Sequence, residues 1–343
     1  MSDAQETFGQ MPDGTEVRRL TLRGGGLVAK VLTLGAIVQD LRLDGVPHPL
    51  VLGAGTPAAY LGPLEYFGAI VGRFANRIAG GRFVMDGVLH QVPPNFRGRH
   101  ALHGGTIGSG ARVWRIEAQH PDSVLLALSM ADGEMGFPGN LEVTVRISLP
   151  GNGALQFDIE ATTDRATPCG FAHHGYFTLD DTGDLSRHRL QVPAAHYLPI
   201  DDDLIPTGEI APVAGTPFDF LEPRSLHRQE IDHNFCLARQ RLPLRPVAFL
   251  ESHASGLGMR VESTEPGLQV YTAIHLPPGG EPGLDGQRYG PFAGVALEAQ
   301  NWPDAPNRPD FPPAILQSGE PYRQVTRYTF APVGSLRKAP PET

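Results

Sequence analysis

The stretch LEVTVRISLPGNGALQFDIEAT, residues 141–162, decides the fold. Apolar and polar residues alternate from Leu141 to Leu149, and the alternation resumes from Leu155 to Ala161. A repeat of two residues is typical of a β-strand with one buried face. The Gly-Asn-Gly segment between the two halves favours a tight turn. The stretch therefore predicts two antiparallel strands joined as a hairpin.

Similar but shorter patterns occur along the rest of the chain, in residues 28–43, 113–118, 124–130, 267–276 and 322–330. The 41 glycines and 33 prolines interrupt long helices and favour many short strands. Helical periodicity is limited to possible single turns near 57–61 and 223–229. Strands do not alternate with helices, as a doubly wound sheet would need. We predict an all-β fold, with two large antiparallel sheets packed as a sandwich.

The chain shows no repeat, linker or break in composition that would mark a domain boundary. We therefore expect a single domain over residues 1–343, with an ordered core of about 8–332 and loose ends at 1–5 and 335–343. The hydrophobic fraction of 41% and the charged fraction of 19% are typical of a globular chain.

The charge and the first residues bear on partners and location. A formal net charge of −9 offers no broad basic surface for phosphates, so nucleic acid is excluded as an expected partner. The start has no targeting pattern, and the chain has no apolar run of membrane length, so we expect a cytoplasmic protein without a membrane partner. Cys169 and Cys236 are too far apart in sequence for a metal motif or a disulfide framework, and we expect both to be reduced packing residues.

Five strings place polar residues within apolar or glycine-rich surroundings, where an ionisable group is costly unless it has a partner or a task. They are GRFANRI (72–78), LHGG (102–105), AHHGYF (172–177), IDHNF (231–235) and LEAQNWPD (297–304). Each also has a structural interpretation. Arg73 and Arg77 could form a solvated stripe or ion pairs, and His103 could cap a turn.

The sequence lacks the motifs expected for a metal site, a nucleotide site or a serine-esterase site. His173 and His174 are adjacent, and neighbours on a strand point to opposite faces, so they cannot share a metal ion without distortion. The chain contains no dinucleotide-binding or P-loop glycine motif and no nucleophile elbow. We predict neither a metal site nor a cofactor.

In these five strings the chain resembles the aldose 1-epimerase family, and the match runs in order from about residue 8 to residue 330. Its most specific parts are GRFANRI, LHGG, DHNF and the closing LEAQNWPDAPNRPDFPPAILQSGEPYR. The resemblance implies a large antiparallel sandwich of the galactose mutarotase-like supersandwich type. It also implies a cofactor-free isomerase acting on a monosaccharide, with a histidine acid and a glutamate base, and it leaves a monomer or a homodimer open.

Carried over residue by residue, the resemblance makes His174 the acid and Glu298 the base. It implies that the sugar hydroxyl groups are bound by Asn76, Arg77, His103, Asp232 and Gln269. The chain departs from the family pattern at His173 and Thr178, where the family usually has asparagines. It also continues as Ala-Ile-His at 273–275 instead of Gly-Asn, which leaves the preferred sugar open.

The chemistry suits these residue types. Interconversion of anomers places a proton on the ring oxygen and removes one from the anomeric hydroxyl, which opens the ring. A histidine with its ordinary pKa of about 6.5 would be partly protonated near neutral pH, while a glutamate would be ionised. Three different functions remain open: a glycoside hydrolase using Asp232 and Glu298, a non-catalytic sugar-binding protein, and an epimerase for a different sugar or a sugar phosphate.

Overall fold

The computed structural model describes residues 5–337, and the helices within them are short. The α-helical turns are α1 (Pro57–Tyr60) and α2 (Val333–Leu336), and 3-10 turns lie at Ala79–Gly81, Ser109–Ala111, Glu134–Gly136, Leu284–Gly286 and Ala305–Asn307. The first strands are β1 (Gln5–Gln10), β2 (Glu16–Gly24), β3 (Leu27–Leu32), β4 (Val38–Leu43), β5 (Ile70–Val71), β6 (Arg77–Ile78), β7 (Arg82–Met85), β8 (Val88–Gln91), β9 (Ala101–Leu102), β10 (Arg115–His120), β11 (Ser123–Met130), β12 (Leu141–Gly151), β13 (Ala154–Thr163), β14 (Thr167–Pro168) and β15 (Ala172–His173). The remaining strands are β16 (Tyr176–Phe177), β17 (His188–Gln191), β18 (His196–Tyr197), β19 (Ala211–Pro212), β20 (Arg224–Ser225), β21 (Asp232–Cys236), β22 (Arg245–Ser252), β23 (Leu257–Ser263), β24 (Gly267–Tyr271), β25 (Glu281–Pro282), β26 (Arg288–Tyr289), β27 (Val295–Gln300), β28 (Ile315–Leu316) and β29 (Tyr322–Pro332).

Three sheets contain most of the strand residues of the described chain, and the predicted all-β antiparallel fold is confirmed. The largest has nine strands in the order β10-β11-β12-β13-β29-β23-β22-β17-β20. A six-stranded sheet follows the order β16-β27-β24-β21-β18-β19, and a four-stranded sheet runs β1-β2-β3-β4. The other strands form two-stranded pairs.

The hairpin that decides the fold has the predicted register. β12 and β13 pair antiparallel, with Val145 opposite Ile159. The turn residues Asn152 and Gly153 have φ values of 52° and 69°, and two left-handed residues in a row are what the tight hairpin turn requires. The alternating apolar side chains of both strands are buried in the main core.

The main core lies between the nine-stranded and six-stranded sheets. Phe157 of the large sheet and Val295, Leu297 and Ala299 of β27 belong to the same apolar cluster. Tyr328 of β29 spans the two sheets, because its hydroxyl donates to the Leu297 carbonyl at 3.2 Å. The strand period of two residues therefore turns the intervening side chains of β27 away from the core.

Several predicted boundaries were wrong in detail. Residues 28–43 form two strands rather than one, and the strand predicted for 267–276 ends at Tyr271. It ends there because Ala273 has a φ of 55°, which takes the backbone out of the extended region. The helical turn predicted near 57–61 is present as α1. The one near 223–229 is absent, since that segment begins with β20.

The two ends also differ from expectation where they are described. Gln5 begins β1, and Leu336, in the last described helical turn, is buried. These positions are part of the folded body rather than loose ends. Residues 1–4 and 338–343 of the predicted loose ends lie outside the described residues.

The cysteine prediction is confirmed, because Cys169 and Cys236 are free thiols. Cys169 is buried and Cys236 partly so. Among residues 5–337, no helix has both the length and the apolar character needed to cross a membrane.

Candidate active site

The candidate site lies on the face of the six-stranded sheet that is turned away from the main core. Glu298 of β27 is directly opposite Gln269 of β24, and Asp232 lies on β21, the next strand. Residues on the opposite face of the same strands, such as Leu297, Leu268 and Phe235, fill the main core instead. Core packing on one face thus places a row of polar side chains on the other.

His174 reaches Glu298 through the register of the neighbouring strand. β16 pairs with β27 so that Tyr176 is opposite Ala296. Continuing that antiparallel register by two residues brings His174 opposite Glu298, and their Nε2 and Oε1 atoms are 3.6 Å apart. Both side chains are almost fully buried. The proposed acid and base are therefore cross-strand neighbours, at a distance longer than a hydrogen bond.

Asn76 and His103 interlock at the end of the two-stranded pair β6–β9. The backbone N–H of Asn76 donates to His103 Nδ1 at 3.1 Å, and the backbone N–H of His103 donates to the backbone carbonyl of Asn76 at 3.1 Å. Both residues have a left-handed backbone, with φ values of 68° and 51°. Such conformations cost energy and persist only where the surroundings impose them, which is common at functional sites.

The contact to His103 Nδ1 also sets the tautomer of this ring. Because Nδ1 accepts a hydrogen bond from an amide, the neutral ring carries its own proton on Nε2. Burial, followed by the nearby His174 and Arg77, lowers the pKa of His103 well below its ordinary value. His103 is therefore a neutral hydrogen-bond donor.

Arg77 and Gln269 both donate hydrogen bonds to Asp232. Arg77 Nη2 donates to Asp232 Oδ2 at 2.9 Å, and Gln269 Nε2 donates to Asp232 Oδ1 at 2.6 Å. The guanidinium also lies 4.7 Å from the centre of the Phe96 ring. Burial alone would raise the pKa of Asp232, but the charge of Arg77 and the two hydrogen bonds outweigh it and lower that pKa. Asp232 is thus a fixed carboxylate.

In contrast to Asp232, the acid and the base have pKa values that are shifted mainly by burial. Burial raises the pKa of Glu298 well above its ordinary value, and the charge of Asp232 adds to this. Burial lowers the pKa of His174 to about 4. The expectation of a histidine with an ordinary pKa beside an ionised glutamate was therefore wrong for the unliganded site, because desolvation favours the neutral form of each group.

The cleft that these residues share has a volume of about 170 Å³. Of the seven predicted residues, Asn76, Arg77, His103, His174, Asp232 and Glu298 line it. Gln269 is not among the lining residues, and it acts on the site through its hydrogen bond to Asp232. The residues that we did not predict are Tyr66, Phe96, Leu102, Tyr176, Tyr271 and His275.

The unpredicted lining is mostly aromatic, and Tyr66 contacts two of the histidines that line the cleft, His103 and His174. Its ring centre is 4.7 Å from that of His103 and 6.1 Å from that of His174. An aromatic residue in a loop gives no periodic signal, which is why the sequence did not reveal it. His275 belongs to the departure noted at 273–275, and its amide donates to the Tyr271 hydroxyl at 3.1 Å.

A metal ion must be considered, because one ligand atom each of His103, His174 and Glu298 lies within 4.8 Å of the other two. The tautomer of His103 opposes it. A metal on Nε2 would leave the proton on Nδ1, where it would face the Asn76 amide proton across 3.1 Å. The prediction of no metal stays a prediction, supported by this conflict.

Two of the departures from the family pattern, His173 and Thr178, are not among the residues that line the cleft. His173 faces the main core, where its ring stacks on Phe157 at 4.2 Å. This confirms that the adjacent histidines point in opposite directions. Thr178 is buried, and its hydroxyl donates to the Asp180 carbonyl at 2.9 Å.

A larger cleft, of about 510 Å³, lies elsewhere between residues 43–48 and 254–257. Asp180 at its edge accepts hydrogen bonds from the hydroxyls of Thr182 and Ser252. Nothing in its lining matches the convergence of three histidines, two carboxylates and an arginine in the smaller cleft. Chemistry, rather than size, identifies the candidate site.

Comparison with known proteins identifies the family of this chain. The family model for aldose 1-epimerase matches residues 18–329. Galactose mutarotase from Rattus norvegicus is 38% identical, over 96% of this chain and 99% of the relative. Aldose 1-epimerase from Escherichia coli K12 is 36% identical, over 95% of this chain and 98% of the relative.

Solved structures show the same fold. An aldose epimerase homologue from C. elegans superposes with a TM-score of 0.86 at 28% identity, covering 92% of this chain and 99% of that one. Galactose 1-epimerase from Lactobacillus acidophilus has a TM-score of 0.81 at 27% identity, covering 95% and 98%. Because the family model matches residues 18–329 and the relatives are more than 30% identical over nearly the whole chain, this chain belongs to the aldose 1-epimerase family.

Proposed function

We propose that this protein is an aldose 1-epimerase, which interconverts the α and β anomers of a free aldose. The observation that carries the proposal is the buried pair of His174 Nε2 and Glu298 Oε1, 3.6 Å apart in a cleft of monosaccharide size. The names of the relatives, galactose mutarotase and aldose 1-epimerase, support the same activity.

The pair can perform the reaction with a single proton. Neutral His174 beside protonated Glu298 holds the same number of protons as a histidinium beside a carboxylate. In the second form His174 gives its proton to the ring oxygen while Glu298 takes one from the anomeric hydroxyl, and the ring opens to the aldehyde. After rotation about the bond between the first and second carbons, the same transfers in reverse close the ring on the other face.

The negative charge of Asp232 favours the reactive form of the acid. It raises the pKa of His174 against the larger effect of burial, while the charge of Arg77 lowers the pKa of Glu298. We therefore assign Arg77, Asp232 and Gln269 to positioning the sugar and to the local field, and Asn76 and His103 to hydrogen bonds with its hydroxyl groups.

A free sugar fits the cleft better than a sugar phosphate does. The volume of about 170 Å³ is below the roughly 300–1,000 Å³ of pockets for drug-sized ligands. Among the described lining residues, Arg77 supplies the one guanidinium, and Asp232 already neutralises it. A phosphate would thus lack a free cationic partner.

A glycoside hydrolase and a non-catalytic sugar-binding protein are less well supported. A glycoside hydrolase needs two carboxyl groups available for reaction, but both oxygens of Asp232 accept hydrogen bonds from fixed side chains. A non-catalytic sugar-binding protein would not need the acid and base that this chain retains, and the relatives do not favour it.

The setting of the enzyme is part of the same proposal. We propose one domain spanning residues 1–343, working in the cytoplasm as a monomer or homodimer, without a nucleic-acid or membrane partner. The net charge of −9 and the unbroken composition support this setting.

Polarimetry tests the function. Freshly dissolved α-D-galactose, α-D-glucose and several pentoses should mutarotate faster with the protein than without it, while galactose 6-phosphate should not. An aryl galactoside should remain intact. A rate equal to the spontaneous one for every free aldose would overturn the proposal.

A further inference from the structure

The back of the catalytic strand holds a second histidine that the proposed reaction does not use. His173 precedes His174 but points into the main core, where it is buried. Its ring stacks on Phe157 at 4.2 Å and meets the Tyr328 ring edge to face at 5.5 Å. Burying the polar imidazole among aromatic rings costs more free energy than burying an apolar side chain would, which suggests that His173 has a specific role.

The task is indicated by a hydrogen-bonded path across the core. His173 Nδ1 is 3.4 Å from the Tyr328 hydroxyl oxygen. That hydroxyl donates to the Leu297 carbonyl at 3.2 Å, so it accepts from His173. Leu297 precedes Glu298 on β27, just as His173 precedes His174.

The path from His173 through Tyr328 to Leu297 lies just beyond the point where the pairing of β16 with β27 ends. The β16–β27 register contains two residue pairs, Tyr176 with Ala296 and Phe177 with Val295. His174 lies two residues beyond the last of these, between β15 and β16. The His174 backbone is hydrogen-bonded to Ala69 and Gly68 on its other side, so the path through Tyr328 links this segment to β27 beyond the end of their pairing.

The absence of a side chain at Gly175 leaves room for the His173 ring. A Cβ atom built on Gly175 would lie 2.4 Å from His173 Cε1, which is closer than real contacts allow. The missing side chain lets the imidazole lie against the backbone of the residue that follows His174. The family resemblance places an asparagine at position 173, and an asparagine has no ring to stack on Phe157.

We propose that His173, Gly175 and Tyr328 form a positioning unit that fixes the separation between His174 and Glu298. The proposal rests on the proposed function, because it concerns the geometry of that acid and base. These residues do not touch the sugar. They act by holding two strands at the distance that proton transfer requires.

Tyr328→Phe tests the unit, because it removes the hydroxyl link and keeps the ring. The matched control is Tyr60→Phe, which removes another buried hydroxyl, one that accepts from the Ala54 backbone amide at 2.7 Å and does not line the cleft. Both variants should lose similar thermal stability. We expect Tyr328→Phe to lower kcat about tenfold with KM within about twofold, since small misplacements of reacting groups are costly, and Tyr60→Phe to keep the wild-type kcat.

A double-variant cycle provides a second test that does not depend on Tyr328→Phe folding. Gly175→Ala should lower kcat because its methyl group displaces the His173 ring. In His173→Asn the ring is absent, so adding Gly175→Ala should cause little further loss. Equal kcat for Tyr328→Phe and Tyr60→Phe, or additive losses at 173 and 175, would overturn the proposal. An inactive wild type would instead overturn the proposed function.

Discussion

The two ends of the cleft are both buried, yet they are built in opposite ways. At the positioning end, comprising Arg77, Asp232 and Gln269, both carboxylate oxygens are hydrogen-bonded and the pKa of Asp232 is lowered. At the reactive end, comprising His174 and Glu298, Glu298 Oε2 and His174 Nδ1 have no hydrogen-bond partner among residues 5–337. There burial raises the pKa of the carboxyl group and lowers that of the imidazole.

The difference shows how one cleft can both hold a ligand and move protons. A carboxylate that is fully bonded keeps its charge and its place, which suits binding. A carboxyl group and an imidazole without fixed partners can exchange a proton with whatever enters between them. Changes at the reactive end should therefore affect kcat, and changes at the positioning end mainly KM.

The largest effect is expected for Glu298→Gln, because an amide keeps the size of the side chain but cannot accept and return the proton. We predict a fall in kcat of about a hundred- to ten-thousand-fold with little change in KM, measured by polarimetry. Glu160→Gln is the matched control, since Glu160 is 63% exposed and lies far from the cleft. A Glu298→Gln enzyme with wild-type kcat would contradict the role assigned to this residue.

Combining Glu298→Gln with His174→Asn should add almost nothing to that loss. Groups that act as one unit are not additive, because removal of either already stops the coupled transfer. The kcat of the double variant, measured beside both single variants, should be close to that of the slower one. Losses that multiply would mean that the two residues act independently.

Asp232→Asn should have a smaller effect, and on a different parameter. The change removes the charge that Arg77 pairs with, at 2.9 Å. A hydrogen bond to a charged group contributes roughly 1.5–3 kcal/mol, so we expect a ten- to hundredfold fall in kcat/KM, carried mainly by KM. Asp285→Asn breaks an exposed pair with Arg42 at 2.8 Å and should leave the kinetics unchanged. A loss confined to kcat would remove the distinction between the two ends.

The smallest change should come from pH. Because burial lowers the pKa of His174 to about 4, the imidazole stays neutral until the pH falls to that value and the pair gains a second proton. Because the pKa of Glu298 is raised, the pair keeps its one proton above the ordinary carboxyl pKa. We predict that kcat/KM, corrected for the spontaneous rate, declines on the acid side near pH 4. An acid limb centred near 6.5 would show an unperturbed histidine instead.

Sequence periodicity predicted five of the nine strands of the large sheet, β10 to β13 and β29, because apolar and polar residues alternate along them. It did not predict the other four strands, β17, β20, β22 and β23. The hairpin of β12 and β13 was placed within two residues at each end. Where both faces are buried the alternation disappears. β27, whose residues are all buried, was found through the polar residues inside it rather than through a strand pattern.

The site was only partly predicted, because its residues are brought together by strand pairing that the sequence pattern does not show. Glu298 and His174 lie far apart in sequence, and only the register of β16 with β27 brings them together. Family motifs supplied these residues, but not the aromatic lining contributed by Tyr66 and Phe96, which belong to loops. Nor could an isolated sequence reveal the shifted pKa values, because desolvation depends on how completely the surrounding sheets cover each group.

The most direct test of the central claim is magnetisation exchange between the two anomeric protons of D-galactose at equilibrium, measured by NMR with equal concentrations of wild type and Glu298→Gln. We predict exchange well above the spontaneous rate with wild type, and exchange near the spontaneous rate with the variant. Equal exchange with both proteins would show that His174 and Glu298 do not form the proton-transferring pair.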